Sequence, residues 1–171
     1  MLTLSQWYGR LLDGMMGAAG ILLLFMTVMI GTDVLLRNIG LGGVPPSNEL
    51  SEDILYLVTL LAAPGLLRRG QHIRIDIVLQ ALPPRAAWLL EWVGDVIGLV
   101  CCLIFVWYGA SVAATSFFDG SVSIKTLVLP EWWLLTPMPV AFALLALEFA
   151  FRMQRLALAE RRPREDAVSA A

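Results

Sequence analysis

The chain has 171 residues, 58% of them hydrophobic and 15% charged, with a mean hydropathy of +0.76. A soluble domain carries roughly 25% charged residues. Here the charge is gathered into short clusters between long uncharged runs, which excludes an ordinary soluble domain and marks an integral membrane protein. No basic tract is long enough for a nucleic-acid partner. Cys101 and Cys102 stand side by side in an apolar run, so no disulfide framework exists and both read as small apolar side chains.

The first uncharged run lies between Asp13 and Asp33 and holds 19 residues. At 1.5 Å per residue it reaches about 28 Å, close to the hydrocarbon core of a bilayer. It is too long for the apolar part of a signal peptide and is read as a retained first span, about residues 12–37, ended by Gly40, Gly42, Gly43 and two prolines. The second uncharged run, between Asp53 and Arg68, is only 14 residues. Starting the helix at Ser47 or Asn48, both good N-caps, gives a second span over about 48–68. Glu49, Glu52 and Asp53 then fall in its first turns, where carboxylates complement the helix dipole, and Pro64-Gly65 predicts a kink near its far end.

The third run, 96–118, is 23 residues long. The stretch "PPRAAWLLEWVGD" leads into it, with Trp88 and Trp92 spaced as interface anchors. This predicts either a short interfacial amphipathic segment before the third span (about 93–118) or one long tilted helix. The fourth span, about 132–155, follows "EWW", with Pro137 and Pro139 in its first turn. Residues 156–171 form a polar tail. The expected fold is all-α: four transmembrane helices in a single membrane domain covering 1–171.

Lysine and arginine placement predicts orientation. With both termini inside, ten basic residues lie inside and two, Arg37 and Lys125, outside. By the positive-inside rule both termini are cytoplasmic, and so is the loop "LLRRGQHIRID". Arg68, Arg69, Arg74 and Arg85 are then topology anchors, within reach of lipid headgroups.

Four polar constellations remain. Asp33 and Arg37, at i,i+4, share a helix face; they read either as an ion pair facing a partner subunit or as a pair at the membrane surface. Glu49, Glu52, Asp53 and Tyr56 form one stripe, either a docking surface for a basic partner or a solvated helix start. Glu91 and Asp95 read as the polar face of an interfacial segment. Glu148 and Arg152 have the favourable order for pairing along one helix. No nucleophile, metal-ligand set or phosphate loop accompanies any of them. His72 is the single histidine, so neither a bis-histidine haem nor a zinc site is expected. No catalytic residue, metal or cofactor is expected. Apolar spans without internal repeats or a polar midplane point to an accessory subunit. A self-contained oligomeric channel or transporter, or a small electron-transfer component, are the alternatives.

"DVLLRN" at the end of span one, the acidic start of span two, "LRRGQHIRIDIVLQALPP", and "SIKTLVLPEWWLLTPMPVAFALLALEF" occur in an order that resembles the small membrane subunit of TRAP transporters, the tripartite ATP-independent periplasmic transporters. The resemblance covers about residues 11–155. It implies a bacterial inner-membrane complex in which a periplasmic binding protein delivers an organic acid anion and a large membrane subunit carries it, driven by sodium bound in that subunit. The small subunit would brace the scaffold of the large one. On this resemblance Asp33, Arg37, Glu49, Glu52 and Asp53 are interface candidates, and Gly70, His72 and Asp76 fit a family loop without an assigned role.

Overall fold

The structure is a computed structural model, described for residues 2–69, 83–124 and 127–158. Its elements in chain order are α1 (Leu2–Asn38), α2 (Ser47–Arg68), α3 (Pro84–Asp119), a hairpin of β1 (Val122–Ile124) and β2 (Val128–Pro130), the short α4 (Glu131–Leu135), and α5 (Pro137–Leu158). Four stretches are helical, long and apolar enough to cross a membrane: Trp7–Asn38, Ser47–Arg68, Arg85–Asp119 and Glu131–Ala157.

The four long helices lie side by side in the order α1, α2, α5, α3. Neighbours α1 and α2 are antiparallel, packed through Ala19, Ile54 and Val58 with Leu22, Met26 and Leu61 around them. Helices α2 and α5 run the same way and share a second cluster with α3, made of Leu67, Cys102, Leu145 and Ala146. Close approach is permitted by small residues. A Cβ on Gly65 would sit 2.6 Å from the sulfur of Met16, and one on Gly98 would collide with the Phe149 ring. The central helices therefore bury about a third (α2) and a fifth (α5) of their apolar windows, against 11% for α1 and 6% for α3. The outer pair presents its apolar surface outwards.

Three local features differ from the sequence expectations. Ser47 is not an N-cap: Pro46 holds that position without a side-chain cap, and Ser47 is the first helical residue, buried. The lead-in to the third span is not separate from it. Pro84 starts one 36-residue helix, the long-helix form of the two expectations, because nothing between Pro84 and Asp119 breaks the ladder. The fourth span is interrupted after Leu135. Pro137 and Pro139 have no N–H to offer the carbonyls of Trp133 and Leu135, so the ladder lapses there although Thr136 keeps helical dihedrals.

The α3–α5 connection has its own order. Gly120 ends α3 at φ 63, ψ 28, a left-handed cap that a β-branched residue would resist. The hairpin pairs Val122 with Pro130, Ser123 with Leu129 and Ile124 with Val128. Its base is closed by the Glu131 N–H donating to Ser121 at 3.1 Å and by the Ser116 hydroxyl donating to Glu131 at 3.2 Å. No signal in the sequence analysis marked these strands, which are three residues each.

Candidate functional site

The antiparallel packing gathers polar residues at two ends. One end holds the α1–α2 connection and the hairpin. The other holds the start of α1, the end of α2, the start of α3 and the end of α5.

At the first end Asp33 is buried, and its carboxylate does two things. It pairs with Arg37 at 3.0 Å and accepts the Val44 N–H at 2.6 Å. The helix spacing brings Arg37 round to Asp33; the chain reversal through Gly40 and Gly42, both at positive φ, returns Val44 to the same carboxylate. Gly43 lies flat against the pair: a Cβ there would be 2.6 Å from Asp33 Oδ1 and 2.5 Å from Arg37 Nε. Asp33 thus clamps its own loop, while the Arg37 side chain stays 54% exposed. Along the start of α2, Glu52 is exposed and Glu49 and Asp53 are half-buried, and each already has a polar or charged neighbour.

The opposite end is built from all four long helices. Tyr8 of α1 donates its hydroxyl to the Leu144 carbonyl of α5 at 2.8 Å and lies edge-tilted to Phe151. The Arg68 guanidinium sits over its ring, 5.4 Å from the centroid. Arg69 pairs with Asp13 at 2.8 Å, both side chains well exposed. Arg68 and Arg69 therefore tie the end of α2 to α1. Beside them, Arg152 of α5 pairs with Asp95 of α3 at 3.1 Å, with side-chain exposures of only 10% and 4%. Glu148 is fully buried and takes a 2.5 Å bond from Arg155. Its second oxygen meets no hydrogen-bond donor among the described residues. The Trp88 indole donates to the Leu156 carbonyl, and Trp88 and Trp92 meet edge to face at 6.1 Å.

These contacts correct two sequence readings. Asp95 is not on the solvent-facing side of an interfacial segment; it faces α5 inside the bundle. Arg155, not Arg152, is the cation hydrogen-bonded to Glu148, one helical turn further along, and this leaves Arg152 to reach across to Asp95. A signal for Asp95 existed: it lies on the same 4,3-spaced stripe as Gly98, Cys102 and Gly109, the small residues by which α3 approaches α5. Gly70, His72, Arg74 and Asp76 lie outside the described residues, as do the last residues of the polar tail. Arg85 is exposed at the start of α3.

Chemically, the two ends hold helices and loops together. Among the described residues no group of three His, Cys, Asp or Glu is placed to hold a metal ion. The model of the family described as "Tripartite ATP-independent periplasmic transporters, DctQ component" matches residues 26–159. The chain belongs to this TRAP transporter family. It is also 24% identical over 85 residues to a Haemophilus influenzae protein named "Putative TRAP transporter small permease protein"; that match spans 50% of this chain and 53% of the relative, about half of each. With four helices long and apolar enough to cross a membrane, this member of the family is a multi-pass membrane protein. The family match takes in Asp33, Arg37, the α2 acids, Asp95, Glu148 and both partner arginines of α5, while Tyr8 and Asp13 precede it.

Proposed function

We propose that this chain is the accessory membrane subunit of a sodium-driven TRAP transporter for organic acid anions, bracing the scaffold of a large membrane subunit and holding no substrate site itself. The observation that carries it is the uneven burial of the helices. The outer helices α1 and α3 bury 11% and 6% of their apolar windows within the chain, while the charged groups of the described residues are confined to the two ends, where their ion pairs join helices and loops. A helix that gives so little of its surface to its own chain has it left for lipid and for a neighbouring subunit. In this reading the sodium and substrate sites lie in the large subunit. A periplasmic binding protein docks over the α1–α2 end, where Arg37 and Glu52 are exposed. The protein sits in the bacterial inner membrane with both termini in the cytoplasm, since the arginine-rich end belongs inside. Arg68, Arg69, Arg74 and Arg85 are then near the headgroups of the inner leaflet.

The test is reconstitution. Liposomes holding this chain alone are expected to show no sodium-dependent uptake of carboxylates, and uptake should appear only when the large subunit and binding protein are added. Uptake by the chain alone would overturn the proposal.

A further inference from the structure

Two carboxylates and two guanidinium groups are paired between and along α3 and α5 at the arginine-rich end, and they are unequally buried. The side chains of Asp95, Glu148 and Arg152 are 4%, 1% and 10% exposed, while that of Arg155 is 53% exposed. Three charges are therefore enclosed and one stands at the surface of the chain. The enclosed carboxylate of Glu148 is also only half served. Its Oε1 accepts from Arg155, but its Oε2, itself buried, meets no hydrogen-bond donor among the described residues. A buried acceptor in that state is costly, most of all on a charged group. Glu148 thus has room and reason to take a second donor.

A suitable donor stands one turn along the same helix. Arg152 follows Glu148 at i,i+4, the favourable order for a pair on one helix face. It is engaged across the bundle instead, 3.1 Å from Asp95 of α3. Around that pair the start of α3 is closed onto the end of α5. Ala87 and Leu156 are fully enclosed, and the Trp88 indole donates to the Leu156 carbonyl at 3.4 Å. Asp95 is matched by Arg152 and Glu148 by Arg155, and a buried carboxylate that loses its cation becomes an uncompensated charge. Of the two cations, Arg155 is the one that water can draw away without opening the bundle, because its side chain is already half outside.

We propose that Arg152 is shared between two carboxylates and that Arg155 sets which of them it serves. While Arg155 holds Glu148, Arg152 stays on Asp95 and α3 is latched to α5. When Arg155 leaves, Glu148 captures Arg152, and Asp95 loses that counter-charge. The start of α3 then parts from the end of α5 so that water reaches the Asp95 carboxylate. Arg155 is a positioning residue: it governs a helix–helix contact that other residues make. The latch is built within this one chain and needs no partner subunit.

Hydrogen exchange of the purified full chain in detergent, read by mass spectrometry over residues 88–97, tests the latch. Arg155→Ala should speed exchange there on the order of tenfold by easing a local opening, with residues 50–62 of α2 unchanged. Adding Glu148→Gln to Arg155→Ala should restore the protection, because a neutral amide does not draw Arg152 off Asp95. The double variant should also recover folding where Arg155→Ala alone fails to fold. Glu148→Gln by itself should leave 88–97 as protected as in the unsubstituted chain. A Glu148–Arg155 pair that merely held α5 in shape would instead loosen when either partner is removed. The latch is overturned by unchanged exchange in Arg155→Ala, or by acceleration confined to the end of α5 or spread evenly over the four helices. Equal loosening in Glu148→Gln, or no recovery in the double variant, overturns it as well.

Discussion

Where α2 ends and α3 begins, two carboxylates are buried inside the bundle and matched there: Asp95 of α3 by Arg152 of α5, and Glu148 of α5 by Arg155 of its own helix, whose side chain is half exposed. Where α1 turns into α2, one buried carboxylate, Asp33, holds a loop of its own chain and a guanidinium that remains largely open. The difference lies in what each end has to join. The arginine-rich end must fix the register of α3 on α5, whose covalent connection, the hairpin and α4, lies at the opposite end. The other end only has to close a reversal between consecutive helices. A paired charge buried between helices is a poor source of stability but a strong constraint on register, because either partner left alone is a buried, uncompensated charge.

The contrast can be broken at the arginine-rich end first. Arg152→Ala takes away the guanidinium paired with the buried Asp95 carboxylate and is expected to cost about 3–5 kcal/mol. Titration of the purified protein with denaturing detergent would measure this as an early unfolding midpoint, and the exchange Asp95→Arg with Arg152→Asp should recover part of the loss. A midpoint unchanged in Arg152→Ala would mean that the pair does not set the register. An intermediate effect is expected at the loop end. Asp33→Ala removes the acceptor of the Val44 N–H and should cost about 1–3 kcal/mol, with Gly43→Ala acting the same way by wedging a methyl against Asp33 and Arg37. The loop should then become cleavable by protease while the four helices stay folded; protection equal to the unsubstituted protein would argue against the clamp. The smallest effect belongs to Asp13 and Arg69. Both are well exposed, and such pairs contribute about 0.2–1 kcal/mol. Asp13→Ala should therefore shift the midpoint barely beyond error, and a loss like that of Arg152→Ala would show that the exposed pair holds α1 to α2 after all.

Much of the architecture was legible because a bilayer imposes a length on apolar runs. Four charge-free stretches pointed to four helices, and the proline-glycine punctuation after Asn38 marked the first reversal. The Asp33–Arg37 pair was legible too, since both groups belong to one helix and their spacing alone brings them together. The buried network was not. Glu148 has two arginines within two turns, and local spacing favours Arg152; only the approach of α3 places Asp95 where it engages Arg152 and leaves Arg155 to Glu148. The hairpin was likewise hidden, because three-residue strands leave no period to count. The outward direction of Trp107 and Tyr108 needed the knowledge of which face of α3 meets α5.

The sequence by itself therefore determined that four segments are long and apolar enough to cross a membrane, and which family the chain resembles. These follow from the length and charge of segments taken one at a time. Only the tertiary structure decided which charges pair, which glycines are contact points and which aromatic residues are left facing outwards. Those depend on the side-by-side order α1, α2, α5, α3, and that order arises from interlocking side chains of segments far apart in the chain, which no local period encodes.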